Sequence, residues 1–120
     1  MPASAHVFVI TSPYMVDVAK KELEELGHEM ILAARSLEEA LSQALILEEL
    51  PATVVVIDAD HYSQTVAEEL VATIARLSPE TIIISWSTSP QKTPWAKYHA
   101  TKANATGKVP SLAMIVSLAS

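Results

Sequence analysis

The alternation of β-branched runs with amphipathic helical segments most limits the folds open to this 120-residue chain. Residues 6–11 form a β-branched, apolar run, and residues 53–57 form a continuous β-branched run of the kind found in strands that are covered on both faces. After the first run, Val16, Ala19 and Leu23 recur at helical spacing. Strands that alternate with helices through short connections predict a parallel sheet with right-handed crossovers. We therefore expect a doubly wound α/β domain with helices on both faces of the sheet.

Capping and turn residues predict the boundaries of the other elements. Ser12-Pro13 indicates the start of the first helix, and Gly27 its end. Ser36 and Glu39 form a capping box, in which each side chain binds a backbone N–H of the other residue. The remaining elements are expected to be a strand over 29–34, a helix from the capping box to about residue 50, a helix ending at residue 77 and a strand over 81–85.

The last part of the chain gives weaker signals. Thr93-Pro94 predicts a short fourth helix that continues to about residue 104. The apolar residues of 111–120 fit a strand or a helix equally well by spacing. We favour a strand, because no other segment after residue 89 is apolar enough to be the fifth buried strand. A fifth helix would then be missing, and the face that it would cover could serve association.

Composition excludes several kinds of site. The chain has no cysteine, its four histidines show no metal-ligand spacing, and its two glycines provide no glycine-rich phosphate loop. Its apolar runs are too short to span a membrane, and residues 1–5 lack the features of a secretory signal. We therefore expect one cytoplasmic domain over residues 1–120, without a metal ion or another cofactor.

Charge is distributed unevenly along the chain. All 14 acidic residues lie at or before Glu80, whereas four lysines follow it, so a basic C-terminal part adjoins an acidic body, and the whole chain has a net charge of −6. Such asymmetry can indicate an anionic partner. Alternatively, the charges only mark the solvated faces of helices.

The polar residues at the carboxyl ends of the strands are the candidates for a site, because ligands gather at that edge of an open parallel sheet. The order of elements resembles that of the response-regulator receiver domain. That family has an Asp at the end of the third strand, a Ser or Thr at the end of the fourth, and a Lys followed by Pro near the fifth. The matching positions here are Asp58, Ser85 and Lys108 with Pro110. The resemblance implies a flavodoxin-like three-layer fold with strand order 2-1-3-4-5 and a part in two-component signal transduction.

The chain departs from the receiver pattern at the positions that support phosphorylation. Receivers carry an acidic pair after the first strand that holds magnesium, and this chain has Thr11 and Ser12 there. Lys108 is not directly followed by proline, and Trp86 would crowd the site. Without acidic partners, Asp58 lacks the metal that would neutralise an incoming phosphoryl group.

We therefore expect a non-catalytic pseudo-receiver that acts through protein interaction and is not an enzyme. Two alternatives stay open: a phosphoacceptor domain modified on Asp58, and a binder of small anionic ligands at the carboxyl edge of the sheet. The pocket residues would be Thr11, Ser12, Asp60, Ser85 and Lys108.

Asp58 and Asp60 lie two residues apart, so in an extended strand end they would point the same way and could share a proton or a cation. Alternatively, the two aspartates have only a structural role in the turn after the third strand. In that case Asp58 accepts backbone N–H bonds, and Asp60 or Ser63 caps the third helix.

Four residues of the predicted fourth helix fall on one face by their spacing. They are Trp95, Tyr98, His99 and Lys102. Aromatic and basic side chains together are typical of protein interfaces, and we expect a protein partner or a second copy of the chain rather than nucleic acid or a membrane. Alternatively, these side chains pack the helix onto the sheet.

Overall fold

The structure, a computed structural model, describes residues 5–49, 52, 54–88, 93–102 and 112–119. Its elements are β1 (His6–Ile10), α1 (Val16–Glu24), β2 (Glu29–Ala34), α2 (Leu37–Ala44) with a 3₁₀ turn (Leu45–Glu48), β3 (Val54–Asp58), α3 (Gln64–Leu77), β4 (Ile82–Ser87), β5 (Tyr98–Thr101) and α4 (Leu112–Ala119). Within these ranges, no helix has the length and apolar character needed to cross a membrane.

The five strands form one parallel sheet in the order β2-β1-β3-β4-β5. β3 is the central strand, and all five of its residues are buried because both faces of the sheet are covered. The α/β layer architecture and the predicted strand order are confirmed.

Alternate side chains of the strands form two separate apolar clusters, one on each face of the sheet. Val9, Val56 and Trp86 belong to the cluster under α1 and α4. Ile10 and Ile57 belong to the cluster under α2 and α3. The position of a residue along its strand therefore fixes which helices it faces.

The helix boundaries predicted at Ser36 and Gly27 are confirmed, whereas the one predicted at Ser12-Pro13 is wrong. The hydroxyl of Ser36 accepts the N–H of Glu39 at 3.1 Å, and Gly27 adopts a φ of 79° just beyond α1. The Ser12-Pro13 signal instead marks a turn. α1 begins at Val16 without a side-chain cap, because the carbonyl of Ser12 accepts the N–H of Met15 at 3.1 Å before the helix starts.

Both predictions for the C-terminal part are wrong. Tyr98–Thr101 is a strand where a helix was expected, and Leu112–Ala119 is a helix where a strand was expected. Tyr98–Thr101 pairs with Ile84–Ser87, so the pairing with β4 overrides the helical signal of Thr93-Pro94. Leu112–Ala119 is rich in Leu and Ala, which favour helix, and α4 packs beside α1. The sheet face that a missing helix would have left open is therefore covered.

A buried acid joins α1 to α4 and gives a first prediction. Glu22 is 8% exposed, its Oε1 accepts the N–H of Leu112 at 3.4 Å, and its Oε2 has no hydrogen-bond partner among the described residues. Burial raises the pKa of Glu22 and outweighs the hydrogen bond from Leu112, which lowers it. The charged form is therefore disfavoured in the folded state.

Glu22→Gln keeps the acceptor and removes the charge, so it is expected to increase the free energy of unfolding at pH 7. A folded pKa above the ordinary 4.5 means that the cost of the carboxylate is present above the folded pKa and disappears as the pH falls towards 4.5. Urea denaturation at pH 7 and at pH 4.5 should therefore show that the variant has the higher free energy of unfolding at pH 7, and that the difference becomes smaller at pH 4.5. A variant less stable than the wild type at pH 7 would contradict this.

Candidate functional site

Three polar side chains meet at the carboxyl edge of the sheet, on the side of α1 and α4. Thr11 follows β1, Asp58 ends β3 and Lys102 follows β5. Lys102 Nζ donates to both carboxylate oxygens of Asp58, at 2.8 and 2.9 Å, and the Thr11 hydroxyl donates to Oδ2 at 2.5 Å. All three residues continue the strand alternation that places Val9 and Val56 under α1 and α4.

The carboxylate of Asp58 is also bound by the turn that follows it. Its Oδ1 accepts the backbone N–H groups of Asp60 at 2.9 Å and His61 at 3.3 Å. Asp58 is 1% exposed and Lys102 is 8% exposed. Both oxygens therefore lie inside the protein with charged or polar donors, as a buried carboxylate requires.

The Asp60 carboxylate is a second anion on the same lysine. Lys102 Nζ lies 3.0 Å from its Oδ2, which also accepts the N–H of Thr88 at 2.9 Å, while the Thr88 hydroxyl donates to Oδ1 at 3.3 Å. Burial raises the pKa of Asp60, but the bonds from Lys102 and Thr88 outweigh it and hold that pKa below its ordinary value. The two aspartates thus share one ammonium group, and the helix cap expected of Asp60 or Ser63 is made by Ser63.

Trp86 closes the site beside the lysine. It is fully buried and pairs with Asp58 across β3 and β4, and Lys102 Nζ lies 5.1 Å from the centroid of its ring. At this distance the ring face attracts the ammonium group. The indole therefore occupies the space next to the ion pair.

Ser85 does not converge on Asp58. It points to the other face of the sheet, where its hydroxyl lies 2.8 Å from Thr93 Oγ1 and 2.6 Å from His99 Nδ1. Burial lowers the pKa of His99, and the charge of Asp60 only partly offsets this. The expected place of Ser85 in the pocket is wrong, because the residue that pairs with Asp58 is its neighbour Trp86.

The other predicted pocket residues are placed differently. Ser12 is half-buried in the turn before α1. Lys108, like Pro110, lies outside the described residues. The lysine that contacts Asp58 is Lys102, one of the residues assigned from the sequence to an interface.

The predicted shared face of Trp95, Tyr98, His99 and Lys102 does not exist. A strand sends successive side chains to opposite faces, so Tyr98 and Lys102 lie on the side of α1 and α4, whereas His99 contacts Ser85 on the other side. Trp95 packs with the cluster under α2 and α3. The residues that sequence reasoning missed at the site are Lys102 and Thr88.

The donor set at this edge does not reproduce an acidic metal site. Thr11 and Ser12 stand where receivers have their acidic pair. In the part of the chain that the structure describes, no three His, Asp or Glu side chains come together to bind a metal ion. Lys102 supplies the positive charge beside Asp58 instead.

Comparison with known proteins identifies the fold. No family model matches the sequence, and a search of curated proteins finds no match. Among solved structures, the anti-anti-sigma factor PhyR from Bartonella quintana has a TM-score of 0.65 at 16% identity over 98% of this chain and 46% of its own. The chemotaxis protein CheY4 from Vibrio cholerae has a TM-score of 0.64 at 20% identity over 83% of this chain and 88% of its own. The signal receiver domain of NarL from Mycobacterium tuberculosis has a TM-score of 0.60 at 12% identity, and 97% of this chain covers 95% of that one. The chain has the receiver fold.

The resemblance drawn from the order of elements is thus confirmed at the level of the fold. The chain spans just under half the length of the PhyR structures that it matches. Within this receiver fold, Asp58 lies at the end of the central strand, and Lys102, the residue after β5, contacts its carboxylate.

Proposed function

We propose that this receiver-fold chain is a protein-interaction module that works without phosphorylation of Asp58. The observation that carries the proposal is the closed pair of Asp58 and Lys102. Phosphoryl transfer needs a carboxylate oxygen free to attack phosphorus and a cation to neutralise the transferred group. Here both oxygens of Asp58 are hydrogen-bonded and the side chain is buried, while Thr11 occupies the position of an acidic metal ligand.

Incubation with acetyl phosphate and magnesium, followed by intact mass spectrometry, tests this proposal against the phosphoacceptor alternative. The wild type and Asp58→Asn are both expected to keep the mass of the unmodified chain. A receiver domain that accepts phosphoryl groups under the same conditions serves as the positive control. A phosphoryl adduct on the wild type that is absent from Asp58→Asn would overturn the proposal.

The partner that we propose is a second copy of the chain, bound through the surface of α1 and α4. Leu26, Met114 and Leu118 are 49%, 54% and 72% exposed, and they line a groove of about 360 Å³. α4 has no charged residue, and α1 exposes lysines beside acids, whereas the exposed charged residues of α2 and α3 are three glutamates and one arginine. Two copies of a chain of net charge −6 can therefore meet here with little repulsion.

Sedimentation velocity over a range of concentrations tests this association. The wild type is expected to form dimers, and Leu118→Ser to shift the equilibrium towards monomer. Leu45→Ser is the matched control, because Leu45 is 64% exposed in the turn after α2, away from this surface. Equal behaviour of the two variants, or a wild type that stays monomeric, would contradict the dimer surface.

A further inference from the structure

We propose that the side chain of Asp60 is a built-in occupant of an oxyanion cradle formed by Lys102 and Thr88, which would otherwise take a small carboxylate or phosphate. The cradle lies where β4 and β5 end, next to Asp58. This inference rests on the proposed function, in which Asp58 is not phosphorylated. The Asp60 carboxylate then takes the place of a phosphoryl group as the anion that holds these strand ends together.

The donors of the cradle are the kinds that bind oxyanions in proteins. The Asp60 carboxylate lies 3.0 Å from the Lys102 ammonium group. It also accepts the backbone N–H of Thr88 at 2.9 Å and the Thr88 hydroxyl at 3.3 Å. Hydrogen bonds from charged donors and backbone N–H groups to a carboxylate or phosphate are the strong ones. The anion comes from the turn after β3, so a single carboxylate ties three strand ends together.

Contacts that do not involve Asp60 hold Lys102 in place. Its Nζ donates to both oxygens of Asp58, and it lies over the ring of Trp86. Its backbone N–H donates to the carbonyl of Ser87 at 2.7 Å, which extends the pairing of β4 and β5. Removal of the Asp60 side chain should therefore leave the ammonium group in position, with one carboxylate partner in place of two.

The cradle lies at the mouth of the site. The side chain of Asp60 is 26% exposed, whereas that of Asp58 is 1% exposed. An anion at the position of Asp60 lies within hydrogen-bond distance of the Lys102 ammonium group, at a depth that a small ion from solution can reach. In the wild type, Asp60 fills this position and repels other anions. External formate or phosphate is therefore expected to bind only when the Asp60 side chain is removed.

Anion rescue of Asp60→Ala tests the proposal. Thermal unfolding is measured with sodium formate or inorganic phosphate, against chloride at the same ionic strength. Asp60→Ala is expected to unfold at a lower temperature than the wild type, and formate near ten times its dissociation constant should raise its Tm by about 3–6 °C. The amide resonance of Thr88 should shift during the same titration.

Two control variants separate a filled cradle from a general effect of charge. Glu80→Ala removes the same charge at an exposed position before β4 and should respond to formate no more than the wild type. Asp60→Asn keeps an oxygen in the cradle and should also give no anion response. An Asp60→Ala chain that responds no more than Glu80→Ala, or stays unfolded with and without formate, overturns the proposal. The outcome is independent of the phosphodonor experiment, which concerns the mass of the wild-type chain.

Discussion

Lys102→Met is expected to lower the free energy of unfolding by about 3–5 kcal/mol, because it leaves a buried carboxylate without its counter-charge. Asp58 is 1% exposed, and Lys102 supplies two of its hydrogen bonds. Methionine fills a similar volume but donates nothing to Asp58 or to Asp60. Urea denaturation at pH 7 measures the loss.

A second lysine variant and a double variant show whether the loss comes from the charge. Lys97→Met removes an exposed lysine whose Nζ lies 5.8 Å from the ring of Tyr98, so it should cost less than about 1 kcal/mol. Asp58→Asn combined with Lys102→Met removes both charges and should recover much of the stability lost in the single variant. A Lys102→Met chain as stable as Lys97→Met would contradict a buried ion pair.

Trp86→Ala is expected to lower the free energy of unfolding by about 3–5 kcal/mol, because the indole is fully buried between the sheet and α4. Trp86→Phe should cost much less. Phenylalanine keeps a ring beside the ammonium group of Lys102, and the indole N–H that it lacks has no hydrogen-bond partner among the described residues. Equal losses for the two variants in urea denaturation would contradict this interpretation.

The order of elements up to β4 could be predicted from the sequence because each element is long or clearly bounded. Val54–Asp58 is a continuous, mainly β-branched stretch, and Ser36 caps α2 through the N–H of Glu39 as expected. β5 has only four residues, Tyr98–Thr101, which is too few for alternation to stand out from a helical pattern. Its pairing with β4 is a long-range contact that no local signal reveals.

The same limit applies to the site. Thr11, Asp58 and Asp60 follow strands with clear boundaries, so their meeting at one edge of the sheet follows from parallel pairing. Lys102 was assigned to the wrong kind of element because β5 was not recognised. Once β5 is placed, the lysine comes two residues after the buried Ala100, so the two share a face of the sheet.

Thr88 and Ser85 show how register decides which hydroxyl reaches the site. Asp58 pairs with Trp86, so Thr88, two residues beyond Trp86, continues on the side of the site. Ser85, one residue before Trp86, faces His99 instead. The strand boundary alone predicted that a hydroxyl lies near this edge of the sheet. It did not predict which hydroxyl, because a shift of one residue moves a side chain to the opposite face of the sheet.

Acylation of the native chain with a limited amount of acetic anhydride, followed by peptide mapping, tests most directly whether the Asp58 site is closed in solution. The exposed residues Lys20, Lys21 and Lys97 should be modified, while Lys102 should stay unmodified until the chain is unfolded in urea. The reason is that acylation needs a free, accessible amine, and the Lys102 ammonium group is buried and bound to two carboxylates. Modification of Lys102 as readily as Lys97 under native conditions would contradict a closed site.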